Sequence, residues 1–432
     1  MASVHGIVWP SVPAPTPAAS LAILEELERT QWLSPDELAR HQQRQLEVML
    51  AHAARTVPHY AGISDFASVP IMTREQITAA HGQLSSRAYP ATHGPAPETQ
   101  TSRTSGEPVR VRGTGVLAAL HGAMAMRDHR WHKRDLHAHQ AQIRYIPNLA
   151  EPPDGLEVKG WGPVAKLVAP DARMSILSIA STTDEQLAWL VRTNPTYLLA
   201  HPSVLHALLA RIAQTGATLP ALRQARTISE VLSPETRELC TKVLGIPIVD
   251  TYSAQEVGYL ALQCPDHEHF HVQSEHVIVE IVRDDGTPCD VGESGRVVVT
   301  DLHNFATPIL RYDIGDYAER GAPCPCGRGL PVLERILGRR RNMLVYPDGT
   351  TTWPLFSIGC REAARYHHLQ LVQRTRDSLL ARVVPDGPLD REALIGAIHR
   401  TLGDVFSVEI EIVDTIGRSP AGKLEEFISL AT

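Results

Sequence analysis

Thr101-Ser102-Arg103-Thr104-Ser105-Gly106 sets four hydroxyl side chains and one glycine within six residues, and Glu107-Pro108 follows. So polar a stretch is poor material for a helix or a strand. It can turn backbone N–H groups and hydroxyls towards one anion, with the glycine allowing close approach, and this suits a phosphate. It is not a Walker A loop, because Glu107 stands where that motif needs lysine. Further along, Asp250-Thr251-Tyr252-Ser253-Ala254-Gln255-Glu256 offers carboxylates that can hold a hard divalent ion and a tyrosine that can stack on a flat ring. Arg311-Tyr312-Asp313-Ile314-Gly315-Asp316 ends in a carboxylate placed after a glycine turn, suited to a sugar diol. Ser229-Glu230, Gly338-Arg339 and Lys423 in a late glycine turn complete the set, the lysine being able to bring positive charge to a phosphorus centre.

A second group of side chains has metal-ligand spacing. Cys264-Pro-Asp-His267 precedes His269 and His271, and Cys324-Pro-Cys326 follows well downstream. Cys264, His267, Cys324 and Cys326 could close a tetrahedral structural zinc site, with His271 as the alternative nitrogen ligand. Cys240, Cys289 and Cys360 have no partner at such spacing and are read as packing residues.

The elements around these residues alternate. Helices are expected over 18–30 and 35–55, the second with Ser34 as N-cap, Pro35 at the first helical position and Glu37 closing a capping box. A short helix capped by Thr73 should follow, then a long helix over 116–139 whose His121, Arg127, His129, Arg130, Trp131 and Lys133 form a solvated basic face or look into a pocket. From 183 to 250 helices and strands alternate, the pattern of a parallel sheet that binds ligands at the carboxyl ends of its strands. Those ends are His201, Ser229-Glu230 and Asp250-Thr251-Tyr252. Strands are expected over 277–283, 296–301, 309–312 and 317–319, and a small α+β segment lies beyond a boundary near 338–345.

The chain has 432 residues, 43% hydrophobic and 21% charged, with net charge −7. That length favours two domains, and the acidic balance argues against nucleic acid. No apolar run is long enough for a membrane span and no secretory leader is evident, so a cytoplasmic protein with six reduced cysteines is expected.

In order and spacing these segments resemble the adenylate-forming superfamily of acyl- and aryl-CoA ligases, and most of all its phenylacetate–coenzyme A ligase branch. The resemblance runs from about Gln31 to Lys423. It implies an α/β fold: a large domain (1–337) with mixed and parallel sheets, helices and a β subdomain, and a small mobile α+β domain (338–432). It implies ATP held by the 101–109 loop, adenine lined by Ser229-Glu230 and stacked on Tyr252, and magnesium on Glu256 beside Gln255. It further implies ribose on Asp316, a hinge after Arg339, and Lys423 serving adenylation. Thr101, Glu256 and Lys423 would be the catalytic set, with Asp250, Thr251 and Ser253 beside the nucleotide. The function implied is adenylation of a small, aromatic carboxylic acid, then transfer to the thiol of CoA or of a carrier protein, or to an amine. The acid pocket would be lined by helix 120–135 and by residues near His201, Ser229 and 253–257, with His201 and Arg127 either pairing the carboxylate or a ring substituent or serving structure alone. A homodimer is an allowed assembly. Cysteine pairs like those here recur in the branch and favour the metal reading. Arg103 and Ser229 stand where the family has glycine, and Arg341-Asn342 where the branch has two acidic residues. These departures leave open a catalytically impaired nucleotide-binding relative with a regulatory or structural role.

Overall fold

Residues 3–100, 108–145, 155–354, 359–360, 363–418 and 423–431 are described by a computed structural model of the chain. Its first helices begin where their caps stand. Helix α1 (Pro17–Thr30) starts after Thr16, whose hydroxyl accepts from the Ala19 N–H. Helix α2 (Pro35–Thr56) has the expected capping box: the Ser34 hydroxyl accepts from the Glu37 N–H, and the Glu37 carboxylate accepts from the Ser34 N–H. Thr73 and Gln76 repeat that exchange at α3 (Arg74–Ala79), and α4 (His81–Leu84) follows.

Strands β1 (Glu98–Gln100) and β2 (Arg110–Arg112) form an antiparallel hairpin, and α5 (Gly115–Trp131) comes next. That helix is shorter than the 116–139 span expected. Its last turn closes with Lys133 in the left-handed region at φ 50° and the Arg134 N–H donating to the His129 carbonyl. Then come β3 (Gln140–Arg144), β4 (Leu156–Lys159), α6 (Ala165–Val168), β5 (Arg173–Ser178), α7 (Thr183–Thr193), β6 (Tyr197–Ala200), α8 (Pro202–Thr215), β7 (Gln224–Ile228) and α9 (Pro234–Leu244). The β-rich stretch holds β8 (Ile248–Ala254), β9 (Gly258–Gln263), β10 (Phe270–Val272), β11 (Val277–Val282), β12 (Ser294–Asp301), β13 (Tyr312–Arg320) and β14 (Val332–Arg339). The end of the chain holds β15 (Leu344–Val345), β16 (Thr351–Thr352), β17 (Tyr366–Thr375), β18 (Ser378–Pro385), α10 (Arg391–Leu402), β19 (Ser407–Ile412) and β20 (Phe427–Ser429). The mixed α/β class expected from the sequence is the class observed.

The chain divides into two compact units. The first comprises Met1–Ala141, Leu156–Ile176 and Val249–Ile336. Here β11, β12, β13, β14, β10, β9 and β8 lie side by side in that order, mainly antiparallel. The strand expected at 317–319 is part of the longer β13, which starts at Tyr312, so of the strand expected at 309–312 only Tyr312 is in a strand; a bulge opposite Arg296–Val298 keeps β13 in register across Gly315 at φ 81°. The second unit comprises Gln142–Gly155, Leu177–Ile248 and Leu337–Thr432. It holds the parallel pair β6 and β7 and a four-stranded sheet ordered β19-β18-β17-β20. Leu371, Leu379, Ala381, Leu394 and Ile398 form the core between that sheet and α10. No helix among the described residues is long and apolar enough to cross a membrane.

The basic residues of α5 and the turn after it divide: Arg130 and Lys133 are exposed, whereas the middle of the face is buried. Arg127, Asp128 and His129 are buried. Arg134 pairs with Asp128 at 2.7 Å, and Arg127 with Glu275 at 2.7 Å. Neighbouring imidazoles are also enclosed: burial holds His121 and His276 down to about 4 and His303 to about 3. These rings stay neutral when folded but take up protons when unfolded below pH 6.5, so stability falls as pH drops from 6.5 towards 4. Each ring should cost about 3 kcal/mol over that interval. Asp301, raised to about 6 by its burial, works in the opposite sense. Urea midpoints measured between pH 7 and pH 4 should fall steeply, and His303→Gln should flatten the slope.

Candidate functional site

In the first unit, β8 delivers Tyr252 and the turn after it delivers Gln255 and Glu256. That turn depends on Gly258, whose φ is 80° and where a Cβ would lie 2.0 Å from the His121 ring. The neighbouring residues of β13 meet them. The Tyr252 hydroxyl donates to the Asp316 carboxylate at 2.9 Å, and the Tyr312 hydroxyl to Glu256 at 3.4 Å. Arg74, on α3, sits 3.3 Å from the same Glu256 oxygen. Tyr252, Glu256 and Asp316 therefore lie on one edge of this unit. Asp313 is held aside by Arg296 at 2.9 Å and by the Gly315 N–H, which leaves Asp316 as the carboxylate on Tyr252.

Thr101, Ser102, Arg103, Thr104, Ser105 and Gly106 lie outside the described residues. Their point of departure does not. The Gln255 side-chain amide donates to the Gln100 carbonyl at 2.8 Å, so β1 ends beside Gln255. Asp250 is buried, with its N–H donating to Gln263 at 2.8 Å. Thr251 is buried with its hydroxyl unpartnered, and Ser253 is exposed on the far part of β8.

In the second unit, Ser229 follows β7 with φ 76°. The position where the family has glycine keeps a glycine-type backbone, and serine bears the strain. Ser229→Gly should raise stability by about 1 kcal/mol, read as an increase in denaturant midpoint. Glu230 next to it accepts from the Ser203 N–H at 2.9 Å and from the Leu424 N–H at 2.8 Å, with His201 at 3.5 Å. Its carboxyl is held low: burial opposes this, and it is outweighed by His201 and the two N–H donors. Gly338 has φ 99° and packs on Val231, while Arg339 at the end of β14 is half-buried. Arg341 pairs with Glu425, and the Asn342 amide donates to the Phe427 carbonyl at 2.5 Å. The Arg-Asn departure thus fastens the strand that follows the half-buried Lys423.

These contacts bear on the two residues expected either to pair a substrate group or to serve structure alone. Arg127 is fully enclosed and bonded to Glu275, Gln273 and the Leu27 carbonyl, so it has no face for a ligand. His201 is turned to Glu230. Arg74 is not legible as a site residue in the sequence, because it lies far from Glu256 along the chain and belongs to no motif there.

The cysteines of the first unit come together. Cys264, His271, Cys324 and Cys326 present ligand atoms all within 4.8 Å of one another. The Cys264 and Cys324 sulfurs are 3.9 Å apart, and the Cys326 sulfur is 3.4 Å from His271 Nε2. Edges of about 3.8 Å between sulfurs and about 3.5 Å from sulfur to nitrogen follow from tetrahedral zinc bond lengths, so the group fits that ion. His271 completes it because β10, paired with β9 and β14, fixes its ring beside Cys326. His267, in the turn before β10, stacks on His269 instead. Burial pushes the Cys324 thiol up to about 12, so a bound cation would be needed to hold it as thiolate.

No family model matches the sequence. The chain is similar to the phenylacetate–coenzyme A ligase of Thermus thermophilus, 25% identical over 292 residues that cover 60% of this chain and 65% of that protein. The match therefore spans just under two thirds of the relative's length. A solved 2-hydroxyisobutyryl-CoA ligase in the postadenylation state, in complex with 2-HIB-AMP, superposes with TM-score 0.71 at 17% identity, over 93% of this chain and 91% of that one. The amide bond synthetase McbA of Marinactinospora thermotolerans gives TM-score 0.53 at 17% identity, over 84% and 70%. At such identities the structural likeness speaks for the fold.

Proposed function

We propose that this chain, which has the adenylate-forming ligase fold and lies with the phenylacetate–coenzyme A ligase-like branch, adenylates a small carboxylic acid with ATP. The acid's oxygen attacks the α-phosphorus, a new P–O bond forms, and the bond to pyrophosphate breaks. A thiol then attacks the acyl carbon and displaces AMP, its proton passing to solvent. We take the acid to be aromatic and the acceptor to be CoA, with a carrier-protein thiol or an amine as the other nucleophiles an acyl-adenylate accepts. The reading places the protein in the cytoplasm, where its free cysteines stay reduced.

One observation carries the reading: Tyr252 is bonded to Asp316 while Gln255, one residue before Glu256, holds Gln100, the residue that precedes the hydroxyl-rich segment in sequence. A ring face, a diol acceptor, a carboxylate for a hard cation and the residue that precedes the hydroxyl-rich segment in sequence thus share one edge. Glu256 gives one oxygen to Arg74 and Tyr312, and the other, without a partner among the described residues, would take a cation. That suits magnesium, which takes one or two carboxylates and otherwise waters and phosphates. When bound, the ion would neutralise phosphate charge. Arg74 and Tyr312 hold the carboxylate that would receive it, and Asp316 orients the ribose. Residues 338–432 we take as the segment that brings Lys423 to the reaction.

An acid-dependent ATP–pyrophosphate exchange assay over a panel of aryl and short aliphatic acids tests this. Exchange with one class identifies the substrate. Tight ATP binding without exchange for any acid would leave the non-catalytic relative as the better account.

We also assign structural zinc to Cys264, His271, Cys324 and Cys326. Metal analysis of protein purified without chelator should give about one zinc per chain. Cys324→Ser should lose the ion and lower the unfolding temperature, with exchange activity per folded molecule retained. An equal zinc content in that variant would remove the assignment.

A further inference from the structure

Glu230 joins the strand-end region of the second unit to the segment carrying Lys423. We infer that it is a positioning residue for that lysine, a role that rests on the adenylation reading above. One of its oxygens accepts from the N–H of Ser203, in the first turn of α8, and the other from the N–H of Leu424, the residue after Lys423. Arg418 adds a second tie: its guanidinium donates to the Ser203 hydroxyl at 3.1 Å. Residues 418 and 424 are therefore both fastened to the Ser203–Glu230 pair.

The chemistry favours a releasable clasp. A carboxylate between two backbone donors makes charge-assisted hydrogen bonds, stronger than neutral ones but reversible without covalent change. Burial keeps water from replacing either donor, the Glu230 side chain being 9% exposed. With Leu424 held, the lysine beside it has a fixed origin for its flexible stem, and its charge arrives without a separate ordering cost at each turnover. The same contacts occupy both oxygens of Glu230, so recognition of adenine by this carboxylate would have to compete with them.

The experiment separates delivery from nucleotide binding. Exchange kinetics are measured for the full chain and for Arg418→Met and Glu230→Gln, at varied ATP. A clasp predicts that both variants lower kcat by about tenfold, the size expected when a charged hydrogen bond is lost, with KM for ATP within about twofold of the parent. In a Lys423→Ala background neither substitution should lower the residual rate further. A raised KM for ATP with unchanged kcat in Glu230→Gln would overturn the inference in favour of an adenine contact. Unchanged kinetics in both variants would overturn it as well. Circular dichroism and thermal melting establish that the variants are folded, and Arg418→Met, which keeps both N–H donors of Glu230 and removes only the guanidinium charge near it, carries the test if Glu230→Gln is not. Should the parent chain show no exchange with any acid, the proposed function fails first, and a parent that exchanges normally beside unaffected variants sinks only the clasp.

Discussion

Lys423→Ala should slow acid-dependent ATP–pyrophosphate exchange by about a hundred- to a thousandfold, the loss that follows removal of one preorganised charge from a developing anion. The expectation comes from what the other residues can do. Tyr252, Asp316 and Glu256 present a ring face, a diol acceptor and one carboxylate oxygen without a partner among the described residues, all suited to binding a nucleotide or its cation. None of the three adds positive charge where the α-phosphorus gains electron density. Lys423 is half-buried and joined to the fold through Leu424, so its backbone is placed. The alanine variant should therefore keep its affinity for ATP, measured by calorimetry, while kcat collapses. Lys423→Arg should recover little, because a planar guanidinium does not reproduce a compact ammonium at a fixed distance. Exchange within about threefold of the parent in the alanine variant would mean that another cation serves the phosphorus, and the catalytic set would need reassignment.

Glu275→Ala is the second large effect, and it acts on folding. The Arg127 guanidinium donates to both Glu275 oxygens, to Gln273 at 2.9 Å and to the Leu27 carbonyl at 2.5 Å. Thr30 donates its hydroxyl to Glu275 at 2.7 Å. The network ties α1, α5 and the 273–275 segment together, and both charged side chains are wholly enclosed. Removing the carboxylate leaves a buried cation without its counter-charge, which costs about 3–5 kcal/mol. Removing both partners in favour of apolar side chains of similar volume, as in Arg127→Met with Glu275→Leu, should recover most of that loss, since the desolvation of two ions is no longer incurred. Urea unfolding of the single and double variants gives the comparison. A loss below about 1 kcal/mol for Glu275→Ala would show that solvent or a neighbouring group compensates the arginine.

The helix starts at Ser34 and Thr73 can be read directly, because a capping box is an exchange between residues three positions apart. The alternation from 183 to 250 is legible for a similar reason: hydrophobic periodicity is local, and it sets the type of element before any packing is known. The motif residues Tyr252, Glu256 and Asp316 are also visible, each marked by its neighbours, whereas the hydrogen bond that joins Tyr252 to Asp316 is not. The α5 surface shows where local reading fails. Its histidines and arginines look like a solvated face until Glu275 arrives from more than a hundred residues away to neutralise Arg127. Likewise, only the pairing of β10 with β9 and β14 could prefer His271 over His267 beside Cys326. Element types, caps and the inventory of reactive side chains were determined by the sequence, since they depend on near neighbours. Which charge is buried against which, which ring faces the thiols and what Glu230 holds were decided by the tertiary structure, because each depends on chain segments brought together only when the core closes.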